Sequence, residues 1–452
     1  QKEIYRSLIR FKFNSIFLLI KSIEEIKKKY KIEKVFISGW HSYEKQYSYN
    51  NYFLSFMVKS LFKNLKVKQF SNNKLIMKKS LAYNYKLKNY ELLKNGKYVL
   101  LNNLGYNFNR LLLYLYFNRY KTVVPIIESD TQISKLHKFF YKLLGVRFLY
   151  LVKDKVQKKI NFYIPKIKFQ YNKKSFADIL NYFREQEIGN HYSLYSQIHL
   201  INKVYDRNQF KFIFVNFCRG LSGYFIEKGI KNKIKSFCIP HGTVTNYFNI
   251  YGKLYNKAIS DTLFYNGNLT IISQSSLANN FKNKFGYKNK FIDTGNLIFA
   301  SPTLISIKRK KILYAVTNRD FKNSHFYGIE NFYEFYDNLI TLNNLAKIEN
   351  LDIVVKPHSS EYKSIKLLEK KFKYLTFSTE KISKALKFCF VTVSFSSTVI
   401  EDSLNSKIPV ILFDRWKRYK HCDSETNPHK KNSAVYYINT AKDFIQCIKT
   451  IK

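Results

Sequence analysis

VTVSFSSTVIEDSLNSKIPVILFD, residues 391–414, reads as strand, tight turn, helix, short loop and second strand. Val391, Thr392 and Val393 are β-branched, and the Ser394-Phe395-Ser396-Ser397 turn is small and polar. Residues 398–406 suit a helix, and 408–413 form a buried strand with Pro409 at its start. Such a βαβ unit needs parallel pairing and a right-handed crossover. Ser396 and Ser397 fall where the strand's carboxyl end meets the first helical turn. Backbone N–H groups, two hydroxyls and the helix dipole converge there, which suits a phosphate. A second use fits the same pattern: Ser396 as a plain helix cap with no ligand. Glu401, one turn further in, is placed to reach a ribose hydroxyl.

The chain has 452 residues, room for two domains of roughly 200 each. With 46% hydrophobic residues it can build real cores, so it is not a disordered basic tail. The net charge of +47 implies an anionic partner: membrane phospholipid, a polyphosphate-linked substrate or nucleic acid. The lysines are diffuse, and no RNA-binding signature, zinc-finger spacing or helix-turn-helix stands out. That favours an anionic membrane surface over nucleic acid. The five cysteines are far apart with no CxxC, which fits a reducing cytoplasm and no metal site. The apolar runs 13–20 and 111–117 are too short to cross a bilayer, so the expectation is a cytoplasmic protein, peripheral at the inner face of the membrane.

In chain order, residues 1–34 form a lysine-rich amphipathic helical segment, either core packing or a membrane-facing surface. Strand 34–39 ends in Gly39-Trp40-His41; His41 is a candidate acceptor contact or a plain loop histidine. Strands follow at 98–102 and 122–127. The second ends in Glu128-Ser129-Asp130, where Glu128 is a candidate general base and the alternative is a capped helix start. Residues 131–200 read as helices with aromatic faces.

Strand 212–217 leads through a turn at 219–223 into a helix from 224; strand 234–239 then ends in Pro240-His241-Gly242. His241, held at the sheet's rim, suits a general base with an ordinary pKa near about 6.5; a structural turn histidine is the other reading. Strands 269–273 and 290–296 follow, the latter with a turn at Gly295. Residues 300–310 look like a linker, dividing the chain into 1–300 and 301–452. The second series opens with strand 311–316, ending in Thr317-Asn318-Arg319. Strand 351–356 runs into Pro357-His358, a helix spans 362–371, a strand 374–377, a helix 380–387, and a helix at 441–451 closes the chain.

Two such series predict two Rossmann-like α/β domains facing each other across a cleft. Lys356, His358, Ser396 and Ser397 then form a clamp for a nucleotide phosphate, with Glu401 on the ribose, Asn318 and Gly295 beside it and His241 opposite as base. No cofactor is expected beyond a nucleotide-activated co-substrate, and no Asp-x-Asp motif or paired His/Cys set offers a metal site.

The ordered set Pro240-His241-Gly242, SQSS…GYKNKFIDTGN, Lys356-Pro357-His358 and SFSSTVIED…IPVILF resembles bacterial surface-polysaccharide transferases of the GT-B fold. The similar groups are the capsule Kdo transferases, polysialyltransferases and CDP-glycerol glycerophosphotransferases. The likeness spans about residues 210–415. It implies donor-phosphate contacts at His358, Ser396 and Ser397, an acidic helix residue at Glu401 or Asp402, and a base at His241. Ser359 stands where the family has a second proline. The implied activity is transfer of a sugar from a CMP- or CDP-linked donor to a surface polysaccharide or lipid-linked glycan. The alternatives are a CDP-glycerol or ribitol phosphotransferase of teichoic-acid type, and a non-enzymatic basic polyanion-binding protein.

Overall fold

The computed structural model describes residues 23–38, 66–70, 83–88, 98–104, 108–127, 133–156, 192–205, 210–218, 220–240, 246–247, 260, 268–274, 286–295, 310–315, 328–357, 365–395 and 397–452. The chain forms two compact units, Gln1–Pro240 with Asp261–Ile272, and His241–Ser260 with Ser273–Lys452.

A short parallel pair, β1 (Lys34–Ser38) and β2 (Lys66–Phe70), precedes the first large sheet. Among the described residues that sheet has eight strands: β3 (Tyr83–Lys88), β4 (Tyr98–Leu101), β5 (Lys121–Ile127), β6 (Val146–Val156), β7 (Phe210–Val215), β8 (Lys235–Cys238), β10 (Thr270–Ser273) and β11 (Lys290–Asp293), β9 (Asn246–Tyr247) lying elsewhere. Their spatial order is β11-β10-β8-β7-β4-β5-β6-β3. β4 pairs parallel with both β5 and β7, so the order runs outward in two directions from β4, as in a doubly wound Rossmann-like sheet. The reason lies in composition: all of β4 (YVLL) is buried, and parallel strands covered on both faces are continuously apolar. Pro125 is tolerated inside β5 because pairing with β4 ends at Leu100↔Val123.

The antiparallel edge β3 would leave a row of backbone N–H groups open. Helix 192–205 covers it: Ser193 Oγ accepts from Tyr83 N–H and Ser196 Oγ from Tyr85 N–H, both at 2.9 Å.

Among the described residues, α1 (Asn109–Phe117) crosses over between β4 and β5 and α2 (Lys135–Leu143) between β5 and β6. The helical expectation for 131–200 needs correcting here, because the eleven-residue β6 runs through it. Gly145, at φ +73°, stops α2 and turns the chain straight into β6. Helix 192–205 is then α3. The turn expected at 219–223 is also corrected: α4 (Gly220–Lys231) already begins at Gly220, and its Ser222 and Gly223 are buried in its first turn.

Among the described residues the second large sheet has six strands, all parallel: β12 (Lys311–Ala315), β13 (Ile353–Lys356), β14 (Leu375–Phe377), β15 (Cys389–Ser394), β16 (Val410–Phe413) and β18 (Val435–Ile438), ordered β14-β13-β12-β15-β16-β18. The order is again Rossmann-like, reversing between β12 and β15. One face of the sheet packs under α5 (Gly328–Glu349), α6 (Ile365–Lys371) and, on the other side of that face, the closing helix, with Tyr314, Phe335, Leu339, Phe413 and Phe444 in its core. The opposite face holds α7 (Ile382–Ala385) and α8 (Val399–Asn405), against Leu313, Ala315, Val410 and Leu412. Neighbouring residues of β12 thus point to opposite cores, the period-two signature of a strand. The closing helix is α9 (Ala441–Ile451), capped by Thr440, whose Oγ1 accepts from Asp443 N–H.

Candidate functional site

The opening βαβ prediction locates the site. β15 is Cys389–Ser394, α8 is Val399–Asn405 and β16 is Val410–Phe413, each a residue or two from its predicted place. Phe395, 1% exposed, plugs into the core below the turn and fixes the path of the backbone above it. Ser397 starts the helix: its Oγ accepts from Val399 N–H at 3.3 Å and its carbonyl from Ile400 N–H at 3.1 Å. Inside α8, the buried Ser403 hydroxyl lies 2.8 Å from Thr392 Oγ1 and so ties the helix to β15.

Register brings three strand ends level. Ala315 pairs with Lys356, and Tyr314 with Val393. Lys356, half-buried, therefore ends β13 on one side of β12, and the Ser394–Ser397 turn leaves β15 on the other. The crevice outside the carboxyl ends of strands flanking an order reversal is where doubly wound sheets receive ligands. Neighbouring strands lie about 4.8 Å apart, so the two groups straddle a gap of about 10 Å.

Glu401 is not at the mouth of that turn. Its side chain is 1% exposed and its Oε1 lies 3.6 Å from Nε2 of His421, itself 3% exposed. Burial first, then the charge of Glu401, pushes the adjacent Cys422 thiol up to about 12. His421 follows β17 (Tyr419–Lys420), which pairs antiparallel with β9 through Tyr419↔Tyr247 and Lys420↔Asn246. The buried Glu401–His421 pair therefore anchors the strand to which the chain just after His241 is fastened.

A further polar cluster, on the α5 face, escaped sequence reasoning. Arg418 holds the fully buried Glu334 with Nε at 3.0 Å and Nη2 at 2.5 Å. Arg415 reaches Asp337 Oδ2 at 2.6 Å, and the Trp416 indole donates to the same oxygen at 3.1 Å. Asp414, at the end of β16, accepts from the Tyr437 hydroxyl at 3.0 Å. Burial, reinforced by Asp414 and opposed by Arg418, pushes the Glu334 carboxyl up to about 8. The only local signal was the RWKR run after the strand, since Glu334 and Arg418 are 84 residues apart.

Of the predicted site residues, Lys356, Ser397 and Glu401 lie on the second sheet. Gly295, at φ +68°, follows β11 of the first sheet, where it turns the backbone after Thr294 N–H has bonded Ser273 O. His41, Glu128, His241, Asn318, His358 and Ser396 lie outside the described residues.

No family model and no curated protein matches the sequence. Among solved structures, the UDP-GlcNAc 2-epimerase of Methanocaldococcus jannaschii is similar at TM-score 0.43 and 11% identity, over 78% of this chain and 92% of that one. The Neisseria meningitidis UDP-GlcNAc 2-epimerase bound to UDP-GlcNAc follows at 0.42 and 12%, over 78% and 90%. The wall teichoic acid polymerase TagF gives 0.38 and 12%, over 78% and 80%. At identities and TM-scores this low none of them carries the fold assignment; the strand order does.

Proposed function

We propose that the chain is a GT-B-type glycosyltransferase, moving a sugar from a CMP- or CDP-linked donor to a growing surface polysaccharide or lipid-linked glycan. One observation carries the reading: the second sheet's order reverses between β12 and β15, with Lys356 and the Ser394–Ser397 turn at the carboxyl ends on either side of β12. Lys356, His358, Ser396 and Ser397 would hold the donor phosphate and take up the charge that develops on the leaving nucleotide. The proposal routes that charge through side chains and the helix start, not through a metal. His241 would accept the proton of the acceptor hydroxyl as its oxygen attacks the anomeric carbon and the bond to phosphate oxygen breaks. Glu128 and His41 are proposed on the acceptor side, and Asn318 and Gly295 beside the donor. Glu401 enters as the buried partner of His421 instead of a ribose contact. The charge of +47 supports work at the anionic inner face of the cell membrane.

Donor turnover tests this. With CMP- and CDP-linked donors and a glycan acceptor, acceptor-dependent nucleotide release is expected, falling by about a hundredfold or more in His241→Ala. An unchanged rate in that variant, or no release from any cytidine donor, would refute it. An alkali-labile phosphodiester product would move the assignment to CDP-alcohol phosphotransfer.

A further inference from the structure

Amphipathic crossover helices normally turn their apolar stripe to the sheet. In the first unit, α2 does the reverse. Leu136, Phe139, Phe140 and Leu143 recur at helical spacing, i, i+3, i+4 and i+7, and all are more than half exposed, Leu136 at 64% and Phe139 at 58%. None of the nine residues of α2 is buried. The sheet side is taken instead by Lys138, whose Nζ lies 5.3 Å over the Tyr150 ring, and by Tyr141, edge-on to Phe148. The helix itself is well made: Ser134 caps it, its Oγ accepting from His137 N–H.

Its neighbour repeats the pattern. α1 buries Leu112 and Leu115 but exposes Leu113, Tyr114 and Phe117, the last at 78%. β4, β5 and β6 are parallel and adjacent, so two successive right-handed crossovers put α1 and α2 side by side on one face of the sheet. Neither helix contains an acidic residue. Lys135 and Lys142 flank the apolar stripe of α2, and Arg110, Arg119 and Lys121 border α1, all exposed. An apolar row on two helices that carry cations and no carboxylate matches one occupant by charge: the interface of an anionic lipid bilayer, where rings and leucines enter the acyl boundary and lysines meet the headgroups.

We infer that the paired outer faces of α1 and α2 are the surface by which this protein docks on anionic membrane. The inference rests on the peripheral part of the proposed function and on none of its chemistry, so the two can fail separately.

The test is flotation of the full chain with phosphatidylcholine vesicles, with and without phosphatidylglycerol. Wild type should bind the phosphatidylglycerol vesicles, less tightly as salt rises. Phe139→Ser/Phe140→Ser, which changes no charge, should weaken binding by about tenfold or more, the loss expected for two partly inserted rings. Lys135→Gln/Lys142→Gln should weaken it less and flatten the salt dependence. Circular dichroism melts and nucleotide-induced stabilisation, unchanged in these variants, would show that folding and the donor site are intact. Wild-type binding that ignores the Phe139/Phe140 change, or no binding to anionic vesicles, would overturn the inference. So would a change from dimer to monomer in that variant with vesicle binding retained, which would make the face a contact between copies.

Discussion

Where the strand order of the first sheet reverses, between β4 and β7, the carboxyl edge is tied up by its own side chains. The Asn102 amide donates to Asn216 Oδ1 at 2.6 Å and lies 2.9 Å from Ser222 Oγ, and Asn216 N–H donates back to Asn102 Oδ1. In the second sheet the order reverses between β12 and β15; there the serine turn leaves β15, and Lys356 ends β13 on the far side of β12. The covering helices differ as well. α5 buries Phe335, Leu339, Leu342 and Ala346 against its sheet, whereas α2, also a crossover helix, buries nothing. One topology thus serves two ends: a sheet whose switch point is self-satisfied and whose helix α2 looks outward, and a sheet whose helices look inward and whose switch point is the proposed ligand site.

The largest expected contrast is in stability. Leu339→Ala empties a fully buried site and should cost about 2–5 kcal/mol, whereas Leu143→Ala on α2 should fall within about 0.5 kcal/mol of wild type. Denaturant melts of the two variants decide it; a comparable loss at Leu143 would mean that α2 is a packed helix and would break the comparison.

A smaller effect concerns pH. Glu334 in the folded chain titrates at about 8, against 4.5 ordinarily. Between those values the unfolded state loses its proton while the folded state keeps it. Stability should therefore fall as pH rises through this window, by at most about 1.4 kcal/mol per pH unit from this group. Glu334→Gln should remove that component of the slope, measured by urea melts across the range. An identical slope in the variant would contradict this assignment.

Much of this was legible in the sequence where the signal is local. The βαβ unit at 391–414 follows from β-branched runs on either side of a serine turn, and β4, β8, β10 and β13 from short apolar runs. α5 was not anticipated although Phe335, Leu339, Leu342 and Ala346 recur at helical spacing, because the buried Glu334 and Asn338 interrupt the apolar stripe. β6 is hard to see in the sequence because its aromatic residues also suit a helix, and Gly145 is the one local stop before it. The pairings Glu334–Arg418 and Glu401–His421 join residues remote in sequence, and no local pattern encodes them. Glu401 illustrates the limit: a helical position for it is legible in the sequence, but its burial against His421 depends on a segment that only the fold brings near.

Nucleotide-induced stabilisation tests the central claim, that the β12–β15 switch point receives a nucleotide phosphate, most directly. Wild type, Ser397→Ala and Lys356→Ala would be melted with CMP, CDP, UDP and GDP. The account predicts that a cytidine nucleotide at about one hundred times its dissociation constant stabilises wild type by about 2.7 kcal/mol and that both variants lose most of this. No shift with any nucleotide, or a shift that both variants keep in full, would contradict it.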